Sequence, residues 1–399
     1  MAWSPQLHSK IRRLNELRTR LKQRFASRDQ AIDLLTLAVV CQEHVLLVGP
    51  PGTAKSQIIS TFANQIQARS FQYLLTRFTE PSEIFGPLDL QKFMGGVYWI
   101  NTQRMLPEAE IAFLDEVFEG SSAILNTLLT LVNERIFFNG PEPKKASLVS
   151  LIGASNRLPD DDVLAAFSDR FLLRLMVEPV AEDQLGELLR LGMNNEIDRI
   201  KRFASSEHLP MQVSTELPVV DVADLRALNC ALVEVERSVV TSVYEQVMRQ
   251  LRASSVVMSD RRIVHGLKLV CGATLLRGSD RTEPRDLWPL LHTWAQPEDQ
   301  AELKEILAPH LGEDESAQVE QVSEDDVIAQ LQILEHDMAR TTTRAGLDQF
   351  LRQVNSLRNA VISKFGHNSA ILGRIDVLIS SAMERYALLE TSRVQSTPR

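Results

Sequence analysis

The chain has 399 residues, of which 44% are hydrophobic and 24% charged, with a net charge of −9 and a pI near 5.5. At about 150 residues per domain this length implies two or three domains, and the composition excludes wholesale disorder. The acidic balance repels nucleic acid and anionic membrane, so neither is an expected partner for the molecule as a whole. Three cysteines, Cys41, Cys230 and Cys271, stand far apart without zinc or disulfide spacing, and no stretch reaches the roughly 18 apolar residues of a spanning helix. A cytoplasmic protein is the expectation.

In chain order, leucines and basic residues recur at helical spacing over 5–25, and a second helix is expected over 27–41 with Ser27 as its N-cap. The basic residues from Lys10 to Arg24 read as a solvated helix face. Val45-Leu46-Leu47-Val48 is a continuous apolar run ending in glycine and proline, the pattern of a strand buried on both faces. A helix follows over 56–67. The alternation then repeats, with strands at 111–114, 148–154 and 171–176 and a helix over 123–133. Strands separated by helices predict an α/β fold with a parallel sheet covered on both faces, which binds ligands at the C-terminal ends of its strands.

Beyond residue 180 helical spacing dominates, over 182–194, 222–254, 261–275 and 286–294. An acidic, small-residue loop occupies 312–326, and two amphipathic helices, 327–365 and 369–389, have Leu331, Leu334, Met338, Ile371, Ile375 and Leu378 as their expected seam. The expected domains are therefore an N-terminal helix (1–26), an α/β domain (27–180), a helical domain (181–298) and a helical C-terminal arm (299–399).

Gly49-Pro50-Pro51-Gly52-Thr53-Ala54-Lys55-Ser56 leaves the first buried strand and opens a helix, the context in which a glycine-rich pattern becomes a phosphate loop. Its backbone amides would curl round the phosphates of ATP, with Lys55 bridging the β- and γ-phosphates and Ser56 offering its hydroxyl to Mg²⁺. Ala54 stands where a second glycine is usual, which is tolerated if its φ is negative. Asp115 and Glu116 end the second strand. Two acids there suit metal binding by Asp115 and polarisation of the attacking water by Glu116. Asn156, at the end of the third strand, would reach the γ-phosphate or that water. Arg170 and Arg261 are candidate sources of positive charge, and one supplied from a neighbouring subunit would make assembly necessary for turnover. Arg135 and Arg174 read as salt-bridging residues.

The spacing of Gly-Pro-Pro-Gly-Thr-Ala-Lys-Ser, Phe113-Leu114-Asp115-Glu116, Ala154-Ser155-Asn156 and Asp169-Arg170-Phe171 resembles the MoxR family of AAA+ ATPases, and within it the RavA branch. Thr76 to Pro87, Leu106 to Glu110 and Ile124 to Arg135 carry further likeness. The resemblance implies that Lys55 and Ser56 are Walker A residues, Asp115 and Glu116 Walker B, Asn156 sensor 1, Arg170 an arginine finger and Arg261 sensor 2, with Arg262 the alternative. It also implies a hairpin insert near 86–105, where Phe93, Met94 and Trp99 are the residues of interest. The β-rich domain of RavA proteins has no counterpart in 299–389.

By the same resemblance the chain would form a ring, as a hexamer, hydrolyse ATP between subunits and remodel a client protein beside a partner carrying a von Willebrand A domain. An ATPase subunit of a nucleic-acid-processing or defence complex, and a slowly hydrolysing scaffold, are the alternatives.

Overall fold

The computed structural model describes residues 3–159, 162–204, 220–254, 256, 258–311, 350, 354, 358 and 372–383. The chain divides into two compact units, Met1–Glu315 and Ser316–Arg399.

The first unit opens with α1 (Pro5–Lys22) and α2 (Asp29–Cys41), followed by β1 (Val45–Val48) and α3 (Lys55–Asn64). Next come the two-residue β2 (Ile66–Gln67), β3 (Ser70–Leu74), the short helices α4 (Pro81–Phe85) and α5 (Leu90–Met94), and β4 (Ile111–Asp115). Helix α6 (Ser122–Glu134) leads into β5 (Ile136–Asn139) and β6 (Glu142–Lys145), and then β7 (Ser150–Ser155), α7 (Asp162–Ser168) and β8 (Leu173–Met176) complete the α/β part. The remainder is α8 (Leu185–Ala204), β9 (Val220–Asp221), α9 (Val222–Ala231), α10 (Ser238–Ala253), α11 (Asp260–Leu276), a 3₁₀ segment (Pro284–His292) and α12 (Asp299–Leu307).

Five strands form one sheet in the order β3-β4-β7-β1-β8, every pair parallel. The expected α/β architecture is therefore present. Strands β1 and β7 are buried at every position because helices cover both faces, which is why they read as unbroken apolar runs. Edge strand β3 alternates exposed and half-buried residues, and its Ser70 and Gln72 hide it from an apolar-run search.

The helical part is continuous with the α/β part. Leu225 and Leu228 of α9 and Leu269 and Leu275 of α11 share one apolar core with α1, α2 and the β1 side of the sheet. Leu303 and Leu307 of α12 pack with Trp294, Leu287 and Val240, so the compact unit runs past the boundary expected at 298. The single helix expected over 222–254 is two helices broken near Leu232. Ser27 does not cap α2: it has φ +54, and Arg28 holds the cap position without a side-chain bond.

The insert departs from a regular hairpin. Leu88 and Ile100 form one antiparallel bridge, while α5 occupies the tip. Phe93 and Met94 are exposed, 53% and 89%, rather than packed. Trp99 lies between the ammonium groups of Lys92 and Lys144, 3.8 and 3.9 Å from its ring centre. The antiparallel hairpin of this region is β5 with β6. Its Asn139 side chain accepts from Ile100 N at 2.7 Å and donates to Ile100 O at 2.9 Å, acting as a strand partner for the insert.

In the second unit residues 372–383 are helical, and Phe350, Val354, Leu372, Ile375, Leu378 and Ala382 are buried. Arg358 pairs with Asp376 at 2.8 Å. The acidic loop 312–326 and the seam positions Leu331, Leu334, Met338 and Ile371 lie outside the described residues.

Candidate functional site

The C-terminal ends of β1, β4 and β7 are neighbours in the sheet, and each delivers one part of a single site. From β1 comes the loop 49–56. Gly49 donates to Ser155 O at 3.0 Å, and a Cβ on Gly49 would stand 2.1 Å from the carbonyl oxygen of Val177. Only glycine fits that approach. Gly52 takes φ +84. Ala54 takes φ +63, against the expectation of a negative value, so this alanine occupies a left-handed position at a cost of about 1–2 kcal/mol.

Lys55 opens α3 and donates through Nζ to Gly49 O at 2.6 Å and Pro50 O at 2.9 Å, spanning the loop it belongs to. Burial lowers its pKa, opposed by the charges of Asp115 and Glu116. Ser56 Oγ donates to Asp115 Oδ2 at 2.7 Å, joining the loop of β1 to the end of β4. Glu116 follows with φ +49, and its carboxylate accepts from the Asn156 amide at the end of β7. Burial first and the Asp115 charge second raise the Glu116 pKa above the usual carboxylate value, a direction that suits a proton acceptor.

Arg28 is a residue of the site that sequence reasoning missed. Its guanidinium is buried and donates to Thr53 O at 3.2 Å, Glu178 O at 2.9 Å and Ser27 O at 2.8 Å, clipping the loop to the chain leaving β8. An arginine at a helix start carries no sequence signal for this role.

The remaining candidates lie at the opposite edge. Val45 pairs with Leu173 at the N-terminal ends of β1 and β8, which puts Arg170, three residues before Leu173, at that N-terminal edge. The four residues of β1 separate that edge from the loop, a distance of about 13 Å. Arg170 contacts Asp169 at 3.4 Å, and its Nε is buried without a partner among the described residues. Arg261 donates to the Asn133 side chain at the end of α6, so it faces away from its own chain's phosphate loop. Arg262, the alternative to Arg261, is 1% exposed and committed to the core, donating to Asp169 at 2.7 Å, Thr293 O at 2.7 Å, Trp294 O at 3.3 Å and Phe171 O at 3.4 Å. Its burial and these four bonds keep it from a phosphate.

Arg135 donates to the carbonyls of Leu148, Val149 and Gln42, and Arg174 to those of Ser168, Ala295 and Phe171. Both are structural, held by main-chain carbonyls rather than by the expected salt bridges. Burial, then the Arg262 charge, lowers the Arg174 pKa to about 9. His44 accepts from Leu151 N at 2.9 Å and reaches Val132 O at 3.1 Å, and burial followed by the Arg135 charge lowers its pKa to about 3. Burial pushes the Glu43 carboxyl up, but the His265 hydrogen bond at 2.9 Å and the Lys268 charge at 2.6 Å outweigh it and hold the group at about 2.

Among the described residues no cluster of three His, Cys, Asp or Glu gathers to hold a metal, and no helix is long and apolar enough to cross a membrane. The loop edge thus offers main-chain amides, a lysine, a hydroxyl and two carboxylates around one opening, a donor set for a triphosphate with a hard divalent cation.

The comparisons with known proteins agree with that chemistry. An uncharacterised protein of Methanocaldococcus jannaschii is 35% identical over 289 residues, 72% of this chain and 72% of that one. Chaperone MoxR1 of Mycobacterium tuberculosis is 24% identical over 178 residues, 43% of this chain and 46% of its own length. In fold alone, the crystal structure of a protein described as an ATPase from Cytophaga hutchinsonii matches with a TM-score of 0.57, covering 76% of this chain and 95% of that chain at 15% identity. The family model that matches residues 12–215 describes the MoxR domain in the MoxR-vWA-beta-propeller ternary systems, and the narrower likeness to the RavA branch gains no support from any of these. With half of its length matched by that model, this chain belongs to the MoxR family of AAA+ ATPases.

Proposed function

We propose that the chain hydrolyses ATP between the subunits of a hexameric ring and uses the cycle to remodel or assemble a client protein, beside a partner with a von Willebrand A domain. The observation that carries the reading is the meeting of Ser56 with Asp115 and of Glu116 with Asn156 across the ends of three adjacent strands. A triphosphate laid along the loop amides would displace the Lys55 ammonium from the carbonyls of Gly49 and Pro50 and draw it to the β- and γ-phosphates. Ser56 and Asp115, already 2.7 Å apart, are the oxygen donors that would hold Mg²⁺, the other oxygens coming from phosphate and water. Bound Mg²⁺ supplies neutralisation of charge on the phosphate oxygens.

Glu116 accepts the proton of the attacking water as its oxygen bonds to the γ-phosphorus and the bond to the bridging oxygen breaks, releasing ADP. The Asn156 amide fixes the carboxylate for that step. Arg170 and Arg261 stand at the far edge of the sheet, so they serve a phosphate only when it belongs to a neighbouring subunit. The partner class rests on the systems for which the matched family is named, and the remodelling role on the likeness to a chaperone.

Glu116→Gln tests the reading: it should bind ATP, stay assembled, retain its client and lose turnover by about 10²–10⁴-fold. Lys55→Ala should fail earlier, at binding. Hydrolysis by Glu116→Gln at the parent rate would remove Glu116 from the chemistry and with it the reading.

A further inference from the structure

Three adjacent features of the N-terminal sheet edge are not used by the reaction as described: Asp169, Arg262, and the unpartnered buried Nε of Arg170. Asp169 divides its carboxylate, Oδ1 meeting Arg262 Nε at 2.7 Å and Oδ2 meeting Arg170 Nη1 at 3.4 Å. Arg262 is anchored in turn by the carbonyls of Thr293, Trp294 and Phe171. Arg170 sits in the turn before β8 and Arg261 in the first turn of α11, two elements far apart in sequence. Arg261 is half-buried, and after burial itself the charge of Arg170 is the largest influence disfavouring its protonated form. Geometry links the two arginines through one chain of neighbours: Arg170 meets Asp169, Asp169 meets Arg262, and Arg262 is the next residue of α11 after Arg261. Arg170 also keeps one buried donor, Nε, unused among the described residues, which is costly unless an acceptor arrives to complete it.

We infer that Asp169 and Arg262 are a positioning pair, whose ion pair docks α11 onto the turn before β8 so that Arg170 and Arg261 present one two-arginine face to the triphosphate of the neighbouring subunit. Neither Asp169 nor Arg262 touches the nucleotide. Their neighbouring positions explain the tandem Arg261-Arg262: successive residues of a helix point about 100° apart, so one turns into the core as the anchor and the other turns outward as the reagent. The inference rests on the subunit-bridging role proposed above for Arg170.

Steady-state ATP turnover and equilibrium ATP binding of the full chain with Mg²⁺ test it, using Asp169→Asn and Arg170→Ala. Asp169→Asn breaks the ion pair while leaving Arg262 its three carbonyls. It should bind ATP at its own phosphate loop with parent affinity and lose kcat by about 10²-fold, the scale of an ångström-level misplacement. Arg170→Ala should lose about 10³-fold or more. Added to Arg170→Ala, Asp169→Asn should cost less than it does alone, since of the two arginines it positions only Arg261 remains. Mixing Asp169→Asn subunits with Lys55→Ala subunits should recover turnover, because the second chain brings an intact arginine edge to the first chain's nucleotide. A general folding defect would instead lower ATP binding and give no recovery.

Parent kcat in Asp169→Asn, while Arg170→Ala is impaired, overturns the positioning pair alone. Parent kcat in Arg170→Ala overturns the subunit-bridging reading and the inference with it. Loss of ATP binding in Asp169→Asn equal to its loss of turnover, without recovery on mixing, also overturns the inference.

Discussion

The two edges of the central sheet are built from the same five strands and could hardly differ more in how their polar groups are used. At the C-terminal edge Lys55, Ser56, Asp115, Glu116 and Asn156 bond lightly, to one another or to their own loop, and each of those bonds can be exchanged for one to a ligand. At the N-terminal edge Arg174, Arg262, His44 and Glu43 are buried and Arg135 is partly buried, and each is held by carbonyls or by an ion pair. The loop edge presents the main-chain amides of residues 49–56 at the start of α3, whereas the opposite edge consumes guanidinium groups in tying strands to helices.

That contrast predicts where each perturbation acts. The largest effect should come from acid at the N-terminal edge. His44 has a folded pKa of about 3 against 6.5 when free, so its contribution to stability is full above pH 6.5 and is lost as pH falls towards 3, on the order of 4 kcal/mol. Glu43, at about 2 against 4.5, loses its contribution between pH 4.5 and 2, in the same direction. Chemical denaturation followed from pH 8 to 4 should show this slope, and in His44→Gln it should flatten over the upper part of the range. Next, Arg135→Met should destabilise by about 3 kcal/mol, since it strands the carbonyls of Gln42, Leu148 and Val149, while ATP affinity of the folded fraction stays unchanged. Equal loss of affinity in that variant would blur the division between the edges.

At the loop edge the order reverses. Gly49→Ala should cost about 2 kcal/mol through the clash with Val177 and reduce ATP affinity by more than tenfold. Ala54→Gly should relieve the left-handed alanine and gain about 1 kcal/mol in thermal unfolding, the smallest of the four shifts. Destabilisation by Ala54→Gly would mean that restricting the unfolded chain outweighs the strain.

The loop edge is legible in the sequence because its chemistry is local: eight consecutive residues make the phosphate loop, and two more end an unbroken apolar strand. The three inner strands and the edge strand β8 are legible for the same reason, since burial leaves each a largely apolar run. Strand β3 and the β5-β6 hairpin are not, because an edge strand with Ser70 and Gln72, and a hairpin with Glu142, Pro143, Lys144 and Lys145, keep their polar residues towards water. The opposite edge is the least legible. Whether Arg261 or Arg262 turns inward depends on where α11 docks, and nothing in Ser259-Asp260-Arg261-Arg262 records that Thr293 and Trp294 wait with their carbonyls. The positive φ of Ala54 is hidden too, because a small side chain suggests an ordinary conformation while the loop around it imposes a left-handed one.

Asn139 and Trp99 have a mechanical consequence. They fasten the insert to the β5-β6 hairpin, Asn139 on β5 and Trp99 through Lys144 on β6, and β5 follows directly on α6, whose thirteen residues span about 20 Å. That helix begins just beyond Glu116 and its last turn holds Asn133, the residue that Arg261 grips. A push on the exposed Phe93 or Met94 therefore enters a strut whose two ends rest at the acid pair and at the arginines.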